Sequence, residues 1–324
     1  MGSYDSGLVT IFGGAGYVGS ILTQLLLAEG YRVRVFDNML YGNSGISHIN
    51  NPALEVIEAD LTDINSVSYA VRGAETVVLL AAIVGHRMVD SKTLNTRTVN
   101  LLASSVVLDA AVEHGVERFL FASTNSVYGS QSGVMYETTI PEPVSLYSRL
   151  KLRMEERVIK TKRSSFYPTA MRIATCHGCS PRMRFDLVAN SLMRDAVCKK
   201  EIRIVSGEQY RALIHVEDCA RAFVSAIKAH VNLVSGEVFN VGAKDQNVQV
   251  NHLVNIVKTL VPDVAVDVLP GEPDLPDYQL SCSRIEKILD FCPKWTLEKS
   301  LEQLRDYLIE GRYDNPYGPR YNNT

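Results

Sequence analysis

The strand-like run Leu8-Val9-Thr10-Ile11-Phe12 leads directly into Gly13-Gly14-Ala15-Gly16-Tyr17-Val18-Gly19, and this junction decides the fold. The five apolar and β-branched residues read as a buried strand. Ile21 to Ala28 reads as a helix that stops at Gly30. The glycines between fit G-x-G-x-x-G from Gly14, or G-x-x-G-x-x-G from Gly13. Glycine there permits a tight turn and close approach to a pyrophosphate, which the N–H groups and dipole of the next helix attract. A glycine pattern alone is weak, and a ligand-free turn is the competing reading. The strand before it and the helix after it favour a dinucleotide site.

The same alternation continues outward. Strands are expected at Arg32 to Phe36, Leu54 to Glu58, Thr76 to Leu80, Arg118 to Phe121 and Tyr167 to Ile173. Helices are expected at Asn100 to His114 and Tyr147 to Lys160. Strand-helix alternation with such apolar runs implies an α/β fold: a Rossmann-type doubly wound parallel sheet, covered on both faces. After residue 175 the rhythm changes. Helices at Leu187 to Cys198, His215 to Ala229 and Leu297 to Glu310 are interleaved with polar, proline-bearing segments. Residues 1–174 read as the dinucleotide-binding domain, completed by parts of 211–242. Residues 175–324 read mainly as a smaller α/β substrate-binding lobe, with an irregular tail from Gly311.

Asp37 ends the second strand, roughly 20 residues beyond the glycines, where an acid binds the adenosine ribose hydroxyls. No Arg follows it directly, and a carboxylate repels a 2′-phosphate, so NAD is favoured over NADP. Asp60, after the third strand, could accept from the adenine amino group; a helix N-terminal acid is the alternative.

Tyr147 and Lys151 share one face of a predicted helix. A tyrosine with a pKa of about 10 is a poor base at neutral pH. A nearby ammonium and a positive nicotinamide ring both favour phenolate. Tyr147 could then remove a hydroxyl proton while hydride leaves the same carbon, with Lys151 bonding the nicotinamide ribose. The pair is common by chance. Here Ser123-Thr124-Asn125-Ser126-Val127-Tyr128-Gly129 precedes it at a strand's C-terminal end, where doubly wound sheets place ligands. The Thr124 hydroxyl there could bond the reacting oxygen and Tyr147.

Taken together these motifs resemble the extended short-chain dehydrogenase/reductase family, especially its NDP-sugar epimerase/dehydratase branch. The similarity also takes in Asp37-Asn38, Asp60-Leu61, Leu80-Ala81-Ala82, Ser180 to Asn190, Arg211 to Asp218 and Phe239 to Gly242. It implies that Gly13, Gly16, Tyr17, Val18, Gly19, Asp37, Asn38, Asp60, Leu61, Ala81 and Ala82 hold NAD alongside Tyr147 and Lys151. Thr124, Tyr147 and Lys151 match the catalytic Ser/Thr, Tyr and Lys. Thr175 matches a residue facing the sugar, Asn190 a substrate-contacting Asn and Arg211 a diphosphate-contacting Arg. His215 and Asp218 are expected to cap and brace the following helix.

Departures narrow the chemistry. The dehydratases carry an acid where this chain has Asn125 and Ser126, so elimination of water is disfavoured. Many epimerases grip the second phosphate with an Arg in the loop matching Pro270 to Asp277, which here has no Arg or Lys; Arg182, Arg184 or a tail Arg could substitute, or the diphosphate is held differently. His86 and Arg87 could reach the sugar, although a solvated loop is the plainer reading. The resemblance implies a nucleoside-diphosphate sugar substrate and an epimerase working through a transient keto-sugar. A nucleotide-sugar 4-dehydrogenase is the alternative, and a non-catalytic NAD-binding sensor a third. It also implies a homodimer through the helices Asn100 to His114 and Tyr147 to Lys160, with Val106, Val107, Ala110 and Ala111 as apolar contacts.

Bulk properties agree with an enzyme of small molecules. A net charge of −3 over 324 residues gives no electrostatic case for nucleic acid or an anionic membrane. No apolar run approaches the roughly 20 residues of a membrane span. Six scattered cysteines and no apolar leader lead to the expectation of a reduced, cytoplasmic setting. Cys176 and Cys179 have C-x-x-C spacing but no second pair at zinc spacing, so no metal is expected.

Overall fold

The computed structural model describes residues 6–84, 93–271 and 278–323. Among these residues the strands are β1 (Ser6–Phe12), β2 (Tyr31–Asp37), β3 (Leu54–Glu58), β4 (Thr76–Leu79), β5 (Arg118–Thr124), β6 (Val134–Met135), β7 (Tyr167–Ile173), β8 (Thr175–His177), β9 (Glu201–Val205), β10 (Tyr210–His215) and β11 (Glu237–Val241). They are followed by β12 (Asn247–Gln249), β13 (Ala265–Leu269) and β14 (Gln279–Leu280). Seven of them form one parallel sheet in the order β11-β7-β5-β4-β1-β2-β3. The order reverses between β1 and β4, and ligands bind at that switch, outside the strands' C-terminal ends.

Alternation along β1 shows how the sheet is buried on both sides. Val9 and Ile11 enter one apolar cluster, with Leu22 and Leu26 of the helix Gly19–Ala28. Leu8 and Phe12 enter the other, with Val67, Val107, Met154 and Val158. Successive side chains point to opposite faces, so a strand covered on both faces is apolar nearly throughout. The second cluster is built by the helices Ile64–Val71, Ser104–Glu113 and Leu146–Lys160. Asp63 caps the first of these by accepting from the Asn65 and Ser66 N–H groups.

The expected Asn100 to His114 helix is interrupted. Thr98–Ala103 takes a π-helical turn, and regular helix begins at Ser104. Asn100 is buried there, accepting from Ile83 N–H at 2.7 Å and donating to Ile83 C=O at 2.8 Å. The widened turn thus ties the helix to the loop after β4, a use typical of π turns. Val107, Ala110 and Ala111, expected on a dimer face, are buried in this chain's own core, and Val106 packs against it. The exposed side of this segment instead carries Leu94, Leu102 and an Asp109–Arg157 ion pair.

Residues beyond β8 pack on the same core. His215 caps the helix Val216–Lys228 by accepting from Glu217 N–H, and stacks on Trp295 with ring centroids 4.1 Å apart. Asp218 braces the helix through the Lys294 and Trp295 N–H groups and Arg221. Both play the structural parts expected of them. The tail beyond Gly311 is irregular but packed: Phe185, Tyr313 and Tyr321 meet edge to face, and Phe185 N–H donates to Tyr321 C=O at 2.8 Å. Among the described residues no helix is long and apolar enough to cross a membrane.

Candidate active site

A cavity of about 820 Å³ opens over the C-terminal ends of β1, β4 and β5. Its floor is the glycine turn. Gly13 has φ +87°, and a Cβ there would lie 2.7 Å from Ala81 N. A Cβ at Gly19 would lie 2.1 Å from Gly13 C=O, so only glycine lets the helix start against the turn. Gly13, Gly16 and Gly19 line the cavity while Gly14 packs against Val35, which selects the spacing that begins at Gly13. No side chain caps the helix Gly19–Ala28, so its N-terminus faces the cavity as an anion site.

Asp37 is held at the end of β2 by Ala15 N–H and Met39 N–H, each at 3.0 Å. Burial raises its pKa, and these two bonds and Arg182 oppose the rise. Asp60 accepts from Thr62 N–H at 2.9 Å, Thr62 hydroxyl at 2.7 Å and Asn38 at 3.0 Å. The Thr62 backbone bond leads in lowering its pKa. Both carboxylates therefore arrive fixed in orientation. Gly13, Gly16, Tyr17, Val18, Gly19, Asp37, Asn38, Asp60, Leu61, Ala81, Ala82, Thr124, Tyr147, Lys151 and Thr175 all line this one cavity. His86 and Arg87 lie outside the described residues, as does most of the loop matching Pro270 to Asp277.

Ser145 caps the helix Leu146–Lys160 in a reciprocal capping box with Ser148, which sets Tyr147 in the first turn facing the cavity. Lys151, one turn on, is 3% exposed and donates to Ala122 C=O at 2.7 Å. Its Nζ lies 6.0 Å from the Tyr147 ring centroid. Burial pulls Lys151 down to about 7. Burial also pushes Tyr147 up to about 12, against the pull of Arg184 and a hydrogen bond with Thr124. Of the two charges expected to favour phenolate, Lys151 is not among the groups that lower Tyr147 here, which leaves the nicotinamide ring. A half-neutralised lysine cannot offset burial, so further positive charge over the phenol is required to acidify it.

Beneath the strand-end loop lies a buried network. Ser123 donates to Glu155 at 2.5 Å, Glu155 pairs with Arg172 at 2.7 Å, and Arg172 donates to the Tyr128 hydroxyl at 2.9 Å. Tyr128 in turn donates to Asn240 at 2.7 Å. This joins β5, β7, β11 and the helix Leu146–Lys160 in one polar unit beside Thr124.

Two residues expected at the substrate, Asn190 and Arg211, are not among the described residues that line this cavity. Asn190 is fully buried outside the cavity: it accepts from Gly178 N–H and donates to Tyr17 Oη and Arg184 C=O. It braces the cavity wall rather than facing it. Arg211 sits on β10, its Nη1 donating to Tyr210 C=O, and does not line the cavity. Arg182 and Arg184 do line it, as does Asn323 from the tail, which no motif signalled. Arg184 pairs with Asp186; despite burial, that pair keeps its guanidinium charged. Cys176 also lines the cavity, and among the described residues no cluster of His, Cys, Asp and Glu could hold a metal.

A doubly wound sheet, a glycine turn with a ribose acid, and a Thr, Tyr and Lys set around one cavity define a dinucleotide-dependent enzyme acting on an alcohol carbon. The chain belongs to the NAD dependent epimerase/dehydratase family, whose family model matches residues 9–242. It is 26% identical to the uncharacterized UDP-glucose epimerase YtcB of Bacillus subtilis, over 93% of this chain and 97% of that one. It is 25% identical to the UDP-N-acetyl-alpha-D-glucosaminuronate decarboxylase of Bacillus cytotoxicus, over 93% and 97%. Among solved structures, the UDP-glucuronic acid 4-epimerase of Bacillus cereus, in complex with UDP-glucuronic acid and NAD, superposes with a TM-score of 0.86. That match is 26% identical and covers 94% of this chain and 100% of the other.

Proposed function

We propose that this chain is an NAD-dependent nucleotide-sugar 4-epimerase, with a UDP-sugar as substrate. The carrying observation is the convergence of Thr124, Tyr147 and Lys151 with the glycine turn and Asp37 around one cavity. The residues fit NAD: the turn excludes side chains, the helix N-terminus is uncapped and the ribose acid is pre-oriented. When bound there, NAD would supply hydride acceptance and return at the sugar ring carbon, together with a positive charge near Tyr147.

The protein's own groups do the rest. Tyr147 takes the proton from the ring hydroxyl, and Thr124, bonded to it, orients the reacting oxygen. Lys151 positions the ribose beside the phenol. Arg184, which acts on Tyr147 electrostatically, lies on the sugar side of the cavity and holds the substrate's anionic portion. If the keto-sugar rotates before hydride returns, the C4 configuration inverts. Asn125 and Ser126 offer no acid for dehydration. The similarity of the Bacillus cereus 4-epimerase over its full length supports epimerisation over net oxidation. A homodimer is part of the proposal, through the exposed side that carries Leu102, and sedimentation would test it.

Incubation with UDP-glucose and UDP-glucuronic acid, followed by proton NMR, tests the function. A new signal from the C4-inverted sugar is expected without added NAD being consumed. Stoichiometric NADH with a released 4-keto sugar would replace epimerase by dehydrogenase. No turnover of any UDP-, GDP-, dTDP- or CDP-sugar by NAD-loaded protein would refute the proposal.

A further inference from the structure

Arg182 stands apart from the motifs that define the cofactor site. It comes from the second lobe, is 4% exposed and lines the cavity, yet its Nε–H has no hydrogen-bond partner. A buried, unpartnered donor on a cation is costly unless a ligand completes it.

Three contacts fix where it points. Two residues earlier, Ser180 donates to Tyr17 C=O at 2.7 Å and lies 3.1 Å from the Ser20 hydroxyl, so this segment rests on the glycine turn and helix start. The Arg182 guanidinium lies over the Tyr41 ring, 3.9 Å from its centroid, in the loop after β2. Asp37 and Arg182 attract each other, and Asp37 is itself bonded to Ala15 of the turn. Arg182 therefore sits beside the ribose acid, and Arg184 is near enough to act on both Arg182 and Tyr147.

The tail holds it there. Asn323 Oδ1 accepts from Arg182 Nη2 at 2.5 Å, and Asn323 N–H donates to Asp186, the partner of Arg184. The tail is anchored by Phe185 N–H to Tyr321 C=O and by Arg194 to Asn322.

We propose that Arg182 is a clamp on the phosphate of the dinucleotide, reaching over the glycine turn from the opposite lobe, and that Asn323 of the tail is its positioning residue. The free Nε–H donates to a phosphate oxygen that the helix N-terminus holds from the other side. This rests on NAD occupying the glycine turn, and it adds a retention device closed by the tail. A phosphate could also come from the sugar nucleotide, so the test separates the two sources.

Cofactor-stripped protein is titrated calorimetrically with NAD and, separately, with UDP, and thermal midpoints are recorded. Arg182→Met should weaken NAD by about 10–100-fold, the worth of a charged hydrogen bond. UDP affinity should be unchanged and the unliganded midpoint preserved. Arg182→Lys should recover part of the loss, and Asn323→Ala should lose less than Arg182→Met. Unchanged NAD affinity in Arg182→Met, or a loss confined to UDP, would overturn the clamp. A wild-type protein that fails to bind NAD would overturn both the clamp and the cofactor reading beneath it.

Discussion

Replacing Lys151 by Met should stabilise the cofactor-stripped protein while destroying its activity. Lys151 is buried with one hydrogen bond to Ala122 C=O, and burial moves it from 10.5 to about 7. At roughly 1.4 kcal/mol per pH unit, that displacement is worth about 4–5 kcal/mol at neutral pH. The sign follows from proton binding. Between pH 7 and 10.5 the unfolded chain holds more of the proton than the folded chain, so the lysine's penalty is full below pH 7 and fades as pH rises toward 10.5. Met keeps the apolar stem and removes the charge; after the lost hydrogen bond, its advantage at pH 7 should be about 3 kcal/mol. Urea unfolding of both proteins at pH 7, 8 and 9 measures it. The gap should shrink by about 1.0 kcal/mol from pH 7 to 8 and about 1.3 kcal/mol from pH 8 to 9. Comparing the pair cancels the thiols that burial raises elsewhere, such as Cys179 and Cys282. A gap that stays constant with pH would refute a buried, readily neutralised lysine.

Other consequences follow from the same packing. Glu155→Ala leaves Arg172 charged and unpaired beneath the strand-end loop, and should cost about 3–5 kcal/mol in urea unfolding; a loss under 1 kcal/mol would contradict the network. His177 is buried between Ser300 and Gln246, and burial lowers it to about 4; His215 is lowered to about 2, by burial and then by His177. Both are neutral when folded and take protons when unfolded, so stability should fall as pH drops below 6.5. His177 alone should account for about 3 kcal/mol of that loss by pH 4. An acid transition unchanged in His177→Gln would count against this.

Much of the fold was legible because β-branched runs and glycine turns are local signals. Leu54–Glu58 and Tyr167–Ile173 match expectation residue for residue. The Ile64–Val71 helix leaves little sequence signal, being short and started by Asp63 in a polar stretch. The π turn at Thr98–Ala103 was not legible, since it depends on Asn100 meeting Ile83 across the fold. The site shows the same divide. The glycines, Asp37, Thr124, Tyr147 and Lys151 converge because each sits at the end or start of an element whose place the sheet order sets. Asn190 carries the right residue type, but three protein hydrogen bonds occupy it. Asn323 reaches the cavity through contacts with residues far back in the chain, which no local pattern encodes. The balance of charge on Tyr147 and Lys151 depends on burial, which spacing does not reveal.

The most direct measurement is the near-ultraviolet absorbance of reduced nicotinamide after a UDP-sugar is added to NAD-loaded protein, wild type against Tyr147→Phe. The wild type should show transient reduction and the inverted sugar. The phenylalanine variant should retain NAD while its reduction rate falls by about 10²–10⁴-fold. Equal reduction by both proteins would contradict Tyr147 as the group that takes the sugar's proton.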